Sequence, residues 1–287
     1  MDLFNKKEKE PVEPQYYMSA TNVPAYNYRV YHMSSKEKML CFILAFVVGA
    51  AVGYLFYGGI GKDEFGQATS ITCILNIMIP TIVGAIAGKF FVPMRRESII
   101  KKKQKELSGQ FRDMLDGLTT SLNAGKNVND SFLAVYEDLK IQYEEDAFIL
   151  KELELVISGI HNNIAIEDVL EDFGNRSAND DIKSFANVFK ISYRKGGNIK
   201  DIIRNTHSIL SDKMEISEDI ETLVTSNKTE QNIMIVMPIA LIGIIKMMSP
   251  EFAKNFVTPT GIISTTVSIV IFVIAYFIGK SVLEIKM

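Results

Sequence analysis

The sequence predicts an all-α membrane protein: four transmembrane helices, with a cytoplasmic bundle of about six helices inserted between the second and the third. Three observations predict it. Charge-free apolar runs occupy Met39–Gly61, Phe65–Gly88, Gln231–Ile245 and Asn255–Gly279, and roughly 20 apolar residues span a bilayer as a helix. Throughout residues 94–231, apolar residues recur at helical spacing. No stretch shows the alternation of a half-buried strand.

The spans are expected at Met39–Tyr57, Ile71–Val92, Asn232–Met248 and Ile262–Ile278. The first run begins too deep, and lacks the small-residue cleavage pattern, for a signal peptide. The third span contains Pro238, which neighbouring helices tolerate in a membrane. It ends near Lys246, whose ammonium is expected to snorkel to the headgroups. Arg29, Lys36 and Lys38 precede the first span, a dense basic stretch follows the second, and Lys280 and Lys286 follow the fourth. The two remaining loops offer Lys62 beside Asp63 and Glu64, and Lys254 beside Glu251. By the positive-inside rule both termini and the long central segment are cytoplasmic, in the cytoplasmic membrane. The expected division is a flexible tail over 1–38, a helical hairpin over 39–93, the bundle over 94–231 and a second hairpin over 232–287. Proline and the absence of periodicity argue for the flexible tail.

Within the bundle, Leu107, Phe111, Met114, Leu115, Leu118 and Leu122 form one apolar stripe that Gly125 ends. Phe132, Val135, Tyr136 and Leu139 form a second stripe, and Ile149, Leu153, Val156, Ile157 and Ile160 a third. Ile166, Val169, Leu170 and Phe173 mark a short helix expected to stop at Gly174-Asn175. Ile182, Phe185, Ala186 and Phe189 mark the next, which stops at Gly196-Gly197. The sixth carries Ile199, Ile202, Ile203, Ile209 and Leu210, and no stop signal separates it from the third span. Asn127 and Asn198 are good N-caps, each followed by an acid that favours the helix dipole.

Charge narrows the partners. With 31 Lys and Arg against 34 Asp and Glu, there is no bulk nucleic-acid signature. The basic stretch Arg95, Arg96, Lys101, Lys102, Lys103 and Lys105 suits the inner headgroup surface of the lipid bilayer, where each charge is worth ~1 kcal/mol on anionic lipid. The acids Glu144, Glu145, Asp146, Glu167, Asp168, Glu171 and Asp172 are a candidate partner-binding surface, or a solvated one.

Chemistry is sparse. Gly58-Gly59-Ile60-Gly61-Lys62 lacks the leading Gly and the trailing Ser or Thr of a phosphate loop, and reads as a turn. His32, His161 and His207 stand far apart without ligand-spaced partners, and Cys41 and Cys73 lie in apolar runs. No catalytic constellation, metal site or cofactor is expected, so the chain reads as a non-enzyme. Asn76 and Pro80 are assigned to helix packing.

The stretch Gln110-Phe-Arg-Asp113-Met-Leu-Asp116-Gly-Leu-Thr-Thr-Ser-Leu122-Asn-Ala-Gly125 resembles the opening helix of the type II secretion system F domain. Lys195-Gly196-Gly197-Asn198-Ile199 falls where that family restarts a helix. Pro238, then Ser249-Pro250-Glu251-Phe252 and Thr258-Pro259-Thr260-Gly261, are similar to the corresponding region of the Tad (tight adherence) pilus platform proteins. Phe111-Arg112 departs from the family's Leu-Pro, and Asn162-Asn163 stands where a glycine is usual, a turn that Asn can still make. The resemblance implies structural roles for Asp113, Asp116, Gly125, Gly196, Gly197, Pro238, Pro250, Pro259 and Gly261. It implies a platform protein that couples a cytoplasmic secretion ATPase to pilin assembly or protein export. Its partners would be that ATPase, pilin subunits, and a second platform protein or further copies of itself. The alternatives are a small oligomeric transporter or channel, and a transmembrane signalling scaffold.

Overall fold

A computed structural model describes residues 13–61, 67 and 69–283. In chain order these form a hairpin of strands β1 (Tyr16–Met18) and β2 (Pro24–Tyr26), then α1 (Ser35–Tyr57), α2 (Ser70–Asn123), α3 (Val128–Gln142), α4 (Phe148–His161), α5 (Ile166–Arg176), α6 (Asp180–Lys195), α7 (Ile199–Met248), α8 (Pro250–Phe256) and α9 (Pro259–Leu283). Helices α1, α2, α7 and α9 are each long and apolar enough to cross a membrane. The chain is therefore an α-helical, multi-pass membrane protein. Lys62, Asp63, Glu64, Lys286, the side chain of Lys280 and the first twelve residues lie outside the description.

Two compact units divide the chain. One comprises Met1–His32 with Arg96–Met214, the other Met33–Arg95 with Glu215–Met287. The helical unit ends at Met214 rather than near 231, because beyond that point the α7 stripe has nothing to bury against: Ile216 is 57% exposed and Leu223 74%.

The stripes read from the sequence form the core of the helical unit. Leu107, Phe111, Met114, Leu115 and Leu118 of α2 are buried, as are Phe132 and Val135 of α3 and Ile149, Leu153 and Val156 of α4. Val169, Leu170 and Phe173 of α5 and Ile182, Phe185, Ala186 and Phe189 of α6 complete it, and α7 adds Ile203 and Leu210. Ile209 departs from expectation and points outward, 65% exposed.

Helix ends follow local chemistry. Gly125 and Gly196 take the left-handed conformation, with φ of 87° and 74°, where a Cβ would be strained. Asn163 also does so, with φ of 54°. The Asn127 side chain accepts the Asp130 amide at 2.8 Å, and Asn198 accepts that of Asp201 at 3.3 Å. Gly174 corrects a reading: it lies inside α5, which runs on to Arg176. A Cβ there would meet Ala186 Cβ at 3.0 Å and the Lys183 backbone at 3.1 Å, so this glycine lets α5 and α6 approach closely.

The N-terminal tail is a second correction. From Glu13 onward it is a strap folded onto the helical unit, with β1 and β2 paired antiparallel and Tyr16 opposite Tyr26. Arg176 and Glu152, both only 4% exposed, form a two-pronged ion pair with bonds of 2.9 and 2.8 Å. The same guanidinium donates to Asp172 at 2.8 Å and to the Tyr26 carbonyl at 2.9 Å. Tyr28 hydroxyl donates to Glu152 at 2.9 Å, and the Tyr28 amide donates to the Arg176 carbonyl at 3.0 Å. Burial works against the Arg176 charge, but Glu152 and then Asp172 outweigh it and raise its pKa. Burial, reinforced by Glu152, pushes the Tyr28 phenol well above its ordinary value. Periodicity could not show this strap, because its anchors are single contacts to residues far along the chain.

In the apolar unit, α1 and α2 meet through glycine. A Cβ at Gly49 would stand 2.7 Å from Ala87 Cβ, and one at Gly84 would stand 2.7 Å from the Phe46 carbonyl oxygen. Gly49 and Gly53 on α1, like Gly84 and Gly88 on α2, have the spacing of small residues that lets membrane helices pack closely. Polar groups here serve helix ends. Asn76 accepts the Gly59 amide at 2.8 Å. Lys246 does not simply snorkel: its ammonium donates to the Leu55 carbonyl at 2.6 Å and the Phe56 carbonyl at 3.3 Å, and sits 4.7 Å from the centre of the Phe256 ring. It thereby satisfies carbonyls that the end of α1 leaves without helical partners. Ser249 caps α8, which begins at Pro250, and Thr258 hydroxyl accepts the Gly261 amide at 3.1 Å at the start of α9. Helix α7 runs unbroken through Pro238.

Three stability predictions rest on this packing. Arg176→Met alone strands a buried carboxylate and should cost about 3–5 kcal/mol, whereas Glu152→Leu with Arg176→Met should recover most of that loss. Thermal unfolding in detergent reads both, and equal destabilisation by the single and double variants would refute the pairing argument. Gly84→Val should lower the unfolding midpoint by an amount corresponding to about 1–3 kcal/mol of overpacking. Gly109→Ala, whose Cβ would meet only Met214 Cε at 3.7 Å, should raise stability by about 0.5–1 kcal/mol.

Candidate functional site: a groove beside α2

Helix α2 places Lys102, Lys105, Glu106, Gly109 and Asp113 at steps of three and four, so that one face carries them all. Beside this face runs a groove of about 580 Å³, bounded on its other side by Tyr143, Glu144, Asp146 and Ala147 from the α3–α4 loop and by Met214 of α7. Gly109 leaves the floor low. Buried Gln110 fixes the far wall: its side-chain oxygen accepts the Ile149 amide at 3.0 Å, and its amide donates to Glu106 at 3.2 Å.

Asp113 organises the deep end. It accepts the Tyr143 hydroxyl at 2.5 Å, the Arg112 guanidinium at 3.1 Å and the Gln142 amide at 3.4 Å. Partial burial, then the bond to Asp113, pushes the Tyr143 phenol up to about 12. Asp113 therefore pins the loop that carries Glu144, Glu145 and Asp146. Those three acids are exposed, and no ion pair engages them among the described residues. They remain available to a cationic partner, with Glu144 and Asp146 on the rim of the groove.

The other expected acids are already taken. Glu167 and Asp168 bind Arg194 at 3.1 and 3.0 Å, Asp168 and Glu171 bind Lys190 at 2.9 and 2.6 Å, and Asp172 binds Arg176. Acids on α5 face bases on α6, so this set is a clasp between two helices and not an open acidic surface. Hydrogen bonds to those carboxylates raise the Lys190 and Arg194 pKa values.

The basic stretch is divided as well. Lys103 donates to the Tyr26 hydroxyl at 3.0 Å and lies 4.4 Å from the centre of the Tyr31 ring. Lys101 pairs with Glu97 at 3.3 Å, Lys102 and Lys105 line the groove, and Arg95 and Arg96 are exposed. Asp116 lies 3.7 Å from the imidazole of His207, an acid partner that linear spacing had hidden. Gly125, Gly196 and Gly197 stand at helix ends, while Pro238, Pro250, Pro259 and Gly261 belong to the apolar unit, so these motif positions are not brought to the groove.

Gln110, Tyr143, Gly109 and Met214 were not singled out from the sequence. A glutamine inside an apolar stripe was the available signal for the first. Among the described residues, no group of three or more His, Cys, Asp or Glu could hold a metal ion.

One consequence concerns pH. Tyr143 holds its proton more tightly when folded, so its contribution to stability is complete below pH ~10 and is lost as pH rises from there to about 12. Absorbance titration of the wild-type protein against Tyr143→Phe should show one late-ionising tyrosine, and Asp113→Ala should bring its titration partway back towards 10. A Tyr143 that titrates with the exposed tyrosines would contradict the Asp113 clamp. Comparisons of the chain with family models, with curated proteins and with solved structures gave no match in any of the three.

Proposed function

We propose that this protein is a non-enzymatic platform of a pilus-assembly or type II secretion-like machine in the cytoplasmic membrane. Its helical unit lies on the cytoplasmic side and receives a secretion ATPase. Its apolar helices transmit the resulting movement to pilin or export subunits in the bilayer, working with a second platform protein or further copies of itself. The observation that carries this reading is the continuity of α2 and α7. Each is one helix, of 54 and 50 residues, running from a membrane-length apolar segment into a bundle helix. A hydrogen-bonded helix transmits displacement along its axis, whereas a loop absorbs it. The resemblance of 110–125 to the type II secretion system F domain, and of 249–261 to the Tad branch, supplies the kind of machine.

What weighs against the transporter alternative is the use made of polar groups in the apolar unit. Asn76 and Lys246 serve helix ends, and Tyr57 bonds Thr266 at 2.9 Å. A solute path needs such groups turned to its lumen.

The test has two arms. Co-purification of the detergent-solubilised protein with the candidate ATPase should weaken at least tenfold on Glu144→Lys, Glu145→Lys and Asp146→Lys together, with membrane insertion intact. Insertion of three glycines between Ser98 and Ile99 should leave ATPase binding in place and abolish filament assembly or export. Assembly that survives the glycine insertion would overturn coupling through α2, and binding that survives charge reversal would move the ATPase contact elsewhere.

A further inference from the structure

Within the apolar unit, one face of α7 and one face of α9 leave an open groove of about 380 Å³ between them. On α7 its wall begins with Asn227, Glu230 and Gln231, and on α9 it ends with Tyr276 and Gly279. The charge-free run of α7 starts at Gln231, and that of α9 stops at Gly279. These two positions meet. The Gln231 side-chain amide donates to the Tyr276 carbonyl at 3.3 Å, and a Cβ on Gly279 would stand 2.6 Å from Gln231 Nε2. The groove therefore straddles the level at which both helices pass from charged to apolar sequence. Tyr276 stands at that level, as tyrosine commonly does where a span leaves the hydrocarbon. Further along both helices the walls are wholly apolar: Met234 and Ile235 on one side, Phe272 and Ala275 on the other. Met234 is 69% exposed, so this part of the groove is open to whatever surrounds the helices.

The polar end carries a negative charge. Glu230 is exposed, no ion pair engages it among the described residues, and no described lysine or arginine side chain lines the groove. A carboxylate at the mouth repels an anionic headgroup and attracts an ammonium. A primary ammonium also donates charge-assisted hydrogen bonds to a carboxylate, which the methyl groups of choline cannot do. Asn227, one helical turn from Gln231, offers amide hydrogens to a phosphate oxygen. A long apolar channel with a carboxylate and an amide at its headgroup end matches a zwitterionic lipid that bears a primary amine. We propose that the α7–α9 groove binds one molecule of phosphatidylethanolamine, whose ammonium pairs with Glu230 and whose acyl chain lies along Met234, Ile235, Phe272 and Ala275. The lipid completes the packing between two helices that Gln231 and Gly279 join at the polar end. This rests on the membrane-spanning character of α7 and α9 and not on the ATPase reading.

Native mass spectrometry tests this on the full-length protein, stripped of lipid in detergent. Equal amounts of dioleoyl phosphatidylethanolamine, phosphatidylcholine and phosphatidylglycerol are then added, and the lipids that each protein ion retains are counted. The wild-type protein should retain one phosphatidylethanolamine about fivefold more often than either competitor, the upper range for an exposed ion pair. Glu230→Gln keeps the shape of the side chain and should remove that preference. Ala275→Phe should fill the groove and lower bound phosphatidylethanolamine to the level of the competitors. Val270→Phe, at a position of α9 that is 53% exposed and outside the groove, should behave as wild type. Circular dichroism and gel filtration in detergent check that each variant is folded. A wild-type protein without the preference, or a preference that survives either Glu230→Gln or Ala275→Phe, would overturn the proposal. So would an equal loss on Val270→Phe. A second copy of the chain in the wild-type ion that Ala275→Phe removes, with bound lipid unchanged, would overturn it too and give the groove to a protein helix.

Discussion

The Glu152–Arg176 pair is the contact on which the helical unit depends. Moving two charges from water into a protein interior is costly, and their attraction compensates only when the remaining donors and acceptors are also satisfied. Here they are: Arg176 spends its fork on Glu152, its Nε on Asp172 and a further hydrogen on the Tyr26 carbonyl, and Glu152 also accepts Tyr28. The pair therefore does more than join α4 to α5. It requires the strap, because without Tyr26 and Tyr28 part of a buried charge would go unsatisfied. The strap in turn places the Tyr26 ring and hydroxyl at Lys103 on α2. One ion pair thus fixes the mutual placement of α2, α4, α5 and the N-terminal segment, and the apolar core fills the space this framework defines.

A different constraint governs the apolar unit. Where lipid is the solvent, apolar side chains gain little by leaving it, and helices associate through close backbone approach and satisfied polar groups. The glycines of α1 and α2 supply the first. Lys246, Asn76, Ser249 and Thr258 supply the second, each at a helix end where amides or carbonyls lack helical partners. This explains how a lysine and several polar residues lie among four apolar helices: they finish helices.

How much of this could be read in the sequence depends on the range of the interaction. The stripes from Leu107 to Leu118 and from Ile182 to Phe189, the stops at Gly125 and Gly196 and the caps at Asn127 and Asn198 are local, and periodicity with turn chemistry located them. Gly174 reads as a stop and is not one, because a glycine near a helix end has two uses, stopping the helix or admitting a neighbour, and only the neighbour's position decides. Glu152 stands beside Leu153 in an apolar stripe, but its partner lies 24 residues away and the tyrosine that completes the site 124 residues away, so no local pattern marks the pair. The acids of α5 looked like an open surface for the same reason: their neutralising bases stand on the next helix. The groove needs three elements at once, so no local pattern marks Tyr143 or Met214 as its walls.

The connections between the two units bear on how a force could pass. The chain crosses from one to the other at three places: after His32, between Arg95 and Arg96, and after Met214. The second lies within α2, two residues after Pro93, which has no N–H to give to the helical ladder, and the third lies within α7. The first is the non-helical end of the strap, which resists tension through its bonds to Gln15 and Glu13 but cannot push. A load applied to the α3–α4 loop would pass through Asp113 into α2, because Tyr143 and Gln142 both bond that carboxylate. The loop that carries Glu144 and Asp146 is thus held to α2 through Asp113.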